Sequence, residues 1–134
     1  MQANARSIAK LNNMLAQDGS SATSSLRLLS AQANHDLVTD PTRQFDTFLK
    51  CHTSFSQGGV SRMEDLEGNI MPAATKDLYR GMWGWGGRGG SLSLWDRERN
   101  VALAYTMNGL TLQGIGGPRS DRILAAVQKV LRYI

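Results

Sequence analysis

One Ser-x-x-Lys spelling occurs in the chain, Ser7-Ile8-Ala9-Lys10. On a helix a serine and a lysine at that spacing are neighbours, and a neutral lysine amine could take the serine proton and leave an attacking oxygen. A working nucleophile needs a third group to orient its base, and none is spelled nearby. So short a motif recurs by chance, and Ser7/Lys10 reads as coincidence. The two histidines, His35 and His52, lie far apart with no cysteine, histidine or carboxylate at ligand spacing. They read as solvated or structural, so no metal site is expected. Gly114-Ile115-Gly116-Gly117 lacks the strand that feeds a dinucleotide fingerprint, and no cofactor is expected. Trp95-Asp96 without repetition is no propeller signature.

A second concentration of unusual residues is Gly84-Trp85-Gly86-Gly87-Arg88-Gly89-Gly90-Ser91. Six of the fourteen glycines fall between Gly81 and Gly90. Gly86–Gly90 could be an arginine–glycine segment that binds RNA, but those come in disordered runs, and a single copy between two strands reads as a tight, bulged crossing. No nucleic-acid partner is expected. Trp83, Trp85 and Trp95 could stack on a ligand; at alternating strand positions they read first as cross-strand packing.

The elements that must position these residues follow from patterning. At 134 residues the chain is long enough for one domain with a core, and residues 1–134 are read as that single domain. A hydrophobic fraction of 41% excludes disorder, and a net charge of +4 permits an acidic partner without requiring one. Cys51 is the only cysteine, which excludes an internal disulfide framework. Residues 5–17 predict a helix, with Ile8, Leu11 and Leu15 at helical spacing, Asn4 as N-cap and Gly19 as stop. Residues 20–25 read as a loop, and Ser30–Leu37 as a helical turn. Pro41 breaks any regular element early in 38–52. Thr53–Val60 could be a strand, Arg62–Thr75 a polar excursion, and Leu78–Trp85 a strand.

Ser91–Trp95 alternates small polar and apolar residues, Asp96–Asn100 is a charged turn, and Val101–Met107 places large residues on one face and mostly small ones on the other. These predict an antiparallel hairpin over 91–107. The chain closes on a helix over 118–133. Pro118 opens it, Ile123, Leu124, Val127, Val130, Leu131 and Ile134 form an apolar stripe, and Arg119, Arg122, Lys129 and Arg132 populate the other side.

This order from residue 78 on (strand, glycine cluster, hairpin ending in Tyr105-Thr106-Met107-Asn108, then Gly117-Pro118-Arg119 opening a last helix) resembles the C-terminal end of the β-lactamase-related serine hydrolases. The likeness is to their class C, penicillin-binding-protein-like and esterase branch, whose third active-site motif has a lysine or histidine followed by glycines and a serine. Asn4–Lys10 followed by Leu28-Leu29-Ser30 also resembles that family's helix and following step between its two halves. The resemblance implies a strand whose bare backbone lets a substrate approach and pair by main-chain hydrogen bonds. It places Trp85, Gly86 and Gly87 at the motif, makes the Arg88 N–H an oxyanion donor, and puts Ser91 at the motif's end. Trp85 departs from the pattern, since an indole carries one donor and no titratable charge near neutral pH. The family's other motifs are missing: no Tyr-x-Asn or Ser-x-Asn is spelled anywhere.

The expected fold is therefore α+β, an antiparallel sheet of about three to five strands with the N- and C-terminal helices packed on it, a partial β-lactamase/transpeptidase-like fold. The expected function is that of a truncated hydrolase segment, supplying the third-motif strand and the oxyanion-side wall but no catalytic residue, and inactive alone. An ester or amide substrate is then expected only for an intact parent. The alternative is a non-catalytic module that binds a protein or ligand through Trp83–Ser91. No apolar run approaches the ~20 residues of a membrane span. Residues 1–6 lack the charged start and apolar stretch of a signal peptide, so the cytoplasm is the default expectation unless a leader lies upstream. A sheet edge left bare by the missing half is expected to favour self-association.

Overall fold

The computed structural model describes residues 3–87, 89–110 and 114–133. Helix α1 (Ala5–Ala16) begins where Asn4 Oδ1 accepts the Ser7 N–H at 2.9 Å. It stops before Gly19, whose φ of +78° a side chain would strain. Helix α2 (Ala31–Asp36) is capped by Ser30. Six strands then form one sheet in chain order, every neighbour antiparallel: β1 (Thr42–Asp46), β2 (Cys51–Phe55), β3 (Ser61–Arg62), β4 (Trp83–Gly86), β5 (Leu92–Asp96) and β6 (Val101–Tyr105). Between β3 and β4 the chain winds through 3-10 turns at Met63–Asp65, Gly68–Ile70 and Asp77–Tyr79 and a short helix α3 (Ala73–Lys76). Helix α4 (Pro118–Leu131) opens on its proline.

The hairpin and both terminal helices lie where the patterning puts them; the middle of the chain differs. Residues 42–46 are a strand that sequence reading missed, because β1 is an edge strand with four of its five residues exposed. Its side chains carry no inside/outside alternation to read. The segment read as a polar excursion holds Met63, Leu66 and Met71, all buried. Met63 begins one 3-10 turn, and Leu66 and Met71 each follow one, a spacing that matches neither period, so only packing reveals them. Leu78–Trp85 is not one strand: Asp77–Tyr79 is a 3-10 turn, Gly81 has φ +73°, and β4 starts at Trp83. Among the described residues the sheet has six strands rather than three to five.

The core is one cluster of Met63, Leu66, Met71, Tyr79, Met82, Leu92, Leu94, Leu103, Ile115 and Leu124. Burying each large apolar side chain stabilises by ~1.5–3 kcal/mol. Helix α1 lies along β5 and β6 on the side of Ser93, Ala102 and Ala104, whose small side chains allow close approach. Buried Asn12 fastens it: its Nδ2 donates to Leu94 O at 3.3 Å and Leu103 O at 3.1 Å, and its Oδ1 accepts from Ser93 Oγ at 3.1 Å. Strand alternation sends Leu92 and Leu94 to the opposite face, where Leu124 of α4 joins the core.

On α4 the predicted stripe divides. Leu124 is buried, Val127 and Leu131 pack on the core, and Ile123 and Val130 are exposed; Ile134 lies outside the described residues. Polar Ser120 and Gln128 take the inner positions instead. Gln128 serves a hydrogen-bond network, donating to Leu78 O at 2.8 Å and accepting from Arg99 at 2.9 Å. Arg99 pairs with buried Asp96 at 2.6 Å and also donates to Arg80 O. The charged hairpin turn is thus a clamp between sheet, 3-10 turn and last helix.

Candidate functional site

Strand β4 carries the candidate motif. Its buried positions are Gly84 and Gly86, while Trp83 and Trp85 are half-buried. A Cβ on Gly86 would fall inside van der Waals distance of Ile115 Cγ2, so the core itself demands a glycine there. Trp85 stacks on Phe55 of β2, ring centroids 5.4 Å apart and planes tilted by 33°. Sequence reading missed Phe55 as this partner, since the pairing arises across the sheet.

After β4 the chain closes a tight turn. The Gly87 N–H donates to Ser91 O at 2.9 Å and the Gly90 N–H to Gly87 O at 3.0 Å. Gly89 and Gly90 have φ of +128° and +106°, a region closed to most side chains. A Cβ on Gly87 would meet nothing within 4 Å, so the backbone there is open to approach. Ser91 is half-buried and its carbonyl is held by that turn. Trp85, Gly86, Gly87 and Ser91 therefore lie together on one strand and turn, and Arg88, the expected oxyanion donor, lies outside the described residues.

Among the described residues β4 is paired unevenly on its two sides. β3 pairs with β4 only at Arg62–Trp83 and Ser61–Gly84, whereas β5 pairs along the whole of β4. Among the described strands, β5 alone pairs with Trp85 and Gly86.

The other sequence candidates fall elsewhere. Ser7 and Lys10 are both exposed on α1, and no hydrogen bond joins them. His35 is exposed on α2. His52 Nδ1 stands 3.7 Å from Glu67 Oε2, which also accepts from Arg43 at 2.8 Å. Among the described residues no three or more histidines, cysteines or carboxylates gather as metal ligands would. Cys51 is buried beside the sheet edge; burial pushes its thiol up, and the Asp46 and Glu67 carboxylates push it further. A buried, neutral thiol is a poor nucleophile. No described helix is long and apolar enough to cross a membrane.

No protein-family model matches the chain, and no curated protein matches it. Solved structures do. The chain is similar to a family VIII carboxylesterase at 24% identity and a TM-score of 0.75, over 94% of this chain and 31% of that one. It is similar to a penicillin-binding protein homologue from Caulobacter crescentus at 28% identity and a TM-score of 0.75, over 95% of this chain and 32% of that one. The chain thus spans about a third of the length of these solved structures. Its six-stranded antiparallel sheet with flanking helices is part of the β-lactamase-like serine hydrolase fold that both of them share.

Proposed function

We propose that this chain is one wall of a serine hydrolase of the β-lactamase/esterase type and is inactive by itself. The reading rests on one observation: a strand ending in Trp85-Gly86, followed by a closed glycine turn to Ser91, within about a third of that fold. In the complete site an activated serine from the remainder of the fold would attack an ester or amide carbonyl beside Gly87. The developing oxyanion would be held by the nucleophile's own N–H and the Arg88 N–H. Gly87 and Gly90 spend their N–H groups inside the turn, which leaves those donors unavailable for that task. The Trp85–Phe55 pair gives the site an apolar flank without a titratable charge.

Nitrocefin and a short-chain 4-nitrophenyl ester test this directly. The isolated chain is expected to turn over neither above buffer, with Ser7→Ala indistinguishable from the parent sequence. Turnover that Ser7→Ala abolishes would sink the reading.

That β3 stops pairing at Gly84 favours a second reading, a non-catalytic module that captures an extended peptide as a strand added along Trp85–Gly86. A chain that unfolds sharply as a monomer and binds such a peptide uncleaved would favour the module.

A further inference from the structure

The end of β4 away from the glycine turn opens onto a cleft of about 500 Å³. It lies where the end of α1, the segment after α2 and the β5–β6 turn converge. The size falls within the ~300–1,000 Å³ usual for small-molecule sites. Its apolar lining is the indole of Trp83 with Ala16 and Val38. Trp83 stands opposite buried Trp95 in the ladder. Its charged lining is Asp18, Arg97 and Glu98.

The charges select the sign of a ligand. Arg97 donates to Asp18 Oδ1 at 3.0 Å, so the one cation among the described lining residues already has its counter-ion. Glu98 has no ion-pair partner among the described residues. Among the described residues this leaves the Glu98 carboxylate unpaired in the cleft that Trp83 also lines. An anion would have to displace Asp18 from Arg97, whereas a cation finds both the carboxylate and the negative face of an indole waiting.

We propose that this cleft binds a small organic ammonium ion. The ligand's apolar body lies against Trp83, Ala16 and Val38, and its charge is shared between the indole face and the Glu98 carboxylate. The site is separate from the glycine turn, and the proposal stands whether or not the chain serves a hydrolase.

The test is a titration of the ¹⁵N-labelled chain, followed by NMR, with benzyltrimethylammonium up to about 10 mM, in the weak range that an exposed aromatic–cation contact supports. Benzenesulfonate is the anionic control. Saturable shifts should concentrate at the Trp83 indole N–H and at the amides of Arg97, Glu98 and Asn100, with none of comparable size from the sulfonate. Glu98→Gln, an exposed change that leaves the fold alone, should weaken binding about two- to fivefold. Trp83→Leu should abolish it; if that variant fails to fold, Glu98→Gln decides alone. Equal binding of the sulfonate, shifts indifferent to Glu98→Gln, or no saturable shifts would overturn the proposal.

Discussion

Gly86 and Tyr79 show how single residues constrain this molecule. Gly86 sits on a strand, where glycine ordinarily weakens pairing, yet Ile115 fills the space any side chain would need. Gly86→Ala should cost about 1–3 kcal/mol, read from urea denaturation, because the core must shift to admit a methyl. Tyr79 is fully buried, and its hydroxyl donates to Asp121 Oδ1 at 3.2 Å. Burial, then the Asp121 charge and that hydrogen bond, raise its phenol well above the ordinary value of 10.0. The folded chain therefore keeps a proton that the unfolded chain releases above pH 10. The stabilisation is fully present below that pH and is lost as pH climbs from 10 toward the folded value. Urea midpoints should fall over that range, and Tyr79→Phe should flatten the fall. At Cys51 burial is the larger cause, so iodoacetamide should alkylate the native thiol far more slowly than the unfolded one.

Among the elements, α1 is held to the sheet by polarity as much as by apolar contact. Asn12 satisfies two strand carbonyls and a serine from one buried position. Asn12→Leu should destabilise by about 1–3 kcal/mol, because Ser93 and the two carbonyls then lose their partner. The clamp at the β5–β6 turn is a second polar tie between elements. Asp96 is only 1% exposed and neutralises Arg99, which in turn reaches Gln128 and Arg80. Asp96→Ala removes the acceptor of the Arg99 backbone and guanidinium hydrogen bonds, and with Arg99 itself 31% exposed to water the cost should be about 1–3 kcal/mol, read as a lower urea midpoint. Paired measurements of Asp96→Ala, Gln128→Ala and the double variant should show the two positions coupled rather than additive.

For the molecule as a whole, the sheet ends at β1 on one side and β6 on the other. Phe45 on β1 and Phe48 just after it are exposed, the latter 89%, and Ile123 and Val130 are exposed on α4. Exposed edges and apolar residues together favour association. Sedimentation should show reversible, concentration-dependent self-association. Phe45→Lys with Phe48→Lys should reduce it if the β1 edge carries it, and Ile123→Lys with Val130→Lys if α4 does. A monomer at all concentrations would show that these surfaces do not pair copies of this chain.

Local signals were legible in residue order alone: the cap at Asn4, the helical turn from Ser30, the hairpin alternation through Ser91–Trp95, the proline opening of α4 and the glycine cluster after Trp85. Each is a short-range preference of backbone or side chain, complete within one turn or one strand. Tertiary packing alone decided the rest. It drew Met63, Leu66 and Met71 out of a polar stretch into the core, turned Gln128 inward while leaving Val130 in water, and set Phe55 against Trp85. It also brought Ala16, Trp83 and Glu98 around one cleft. Those outcomes depend on which surfaces meet across many residues, and no local period encodes that meeting.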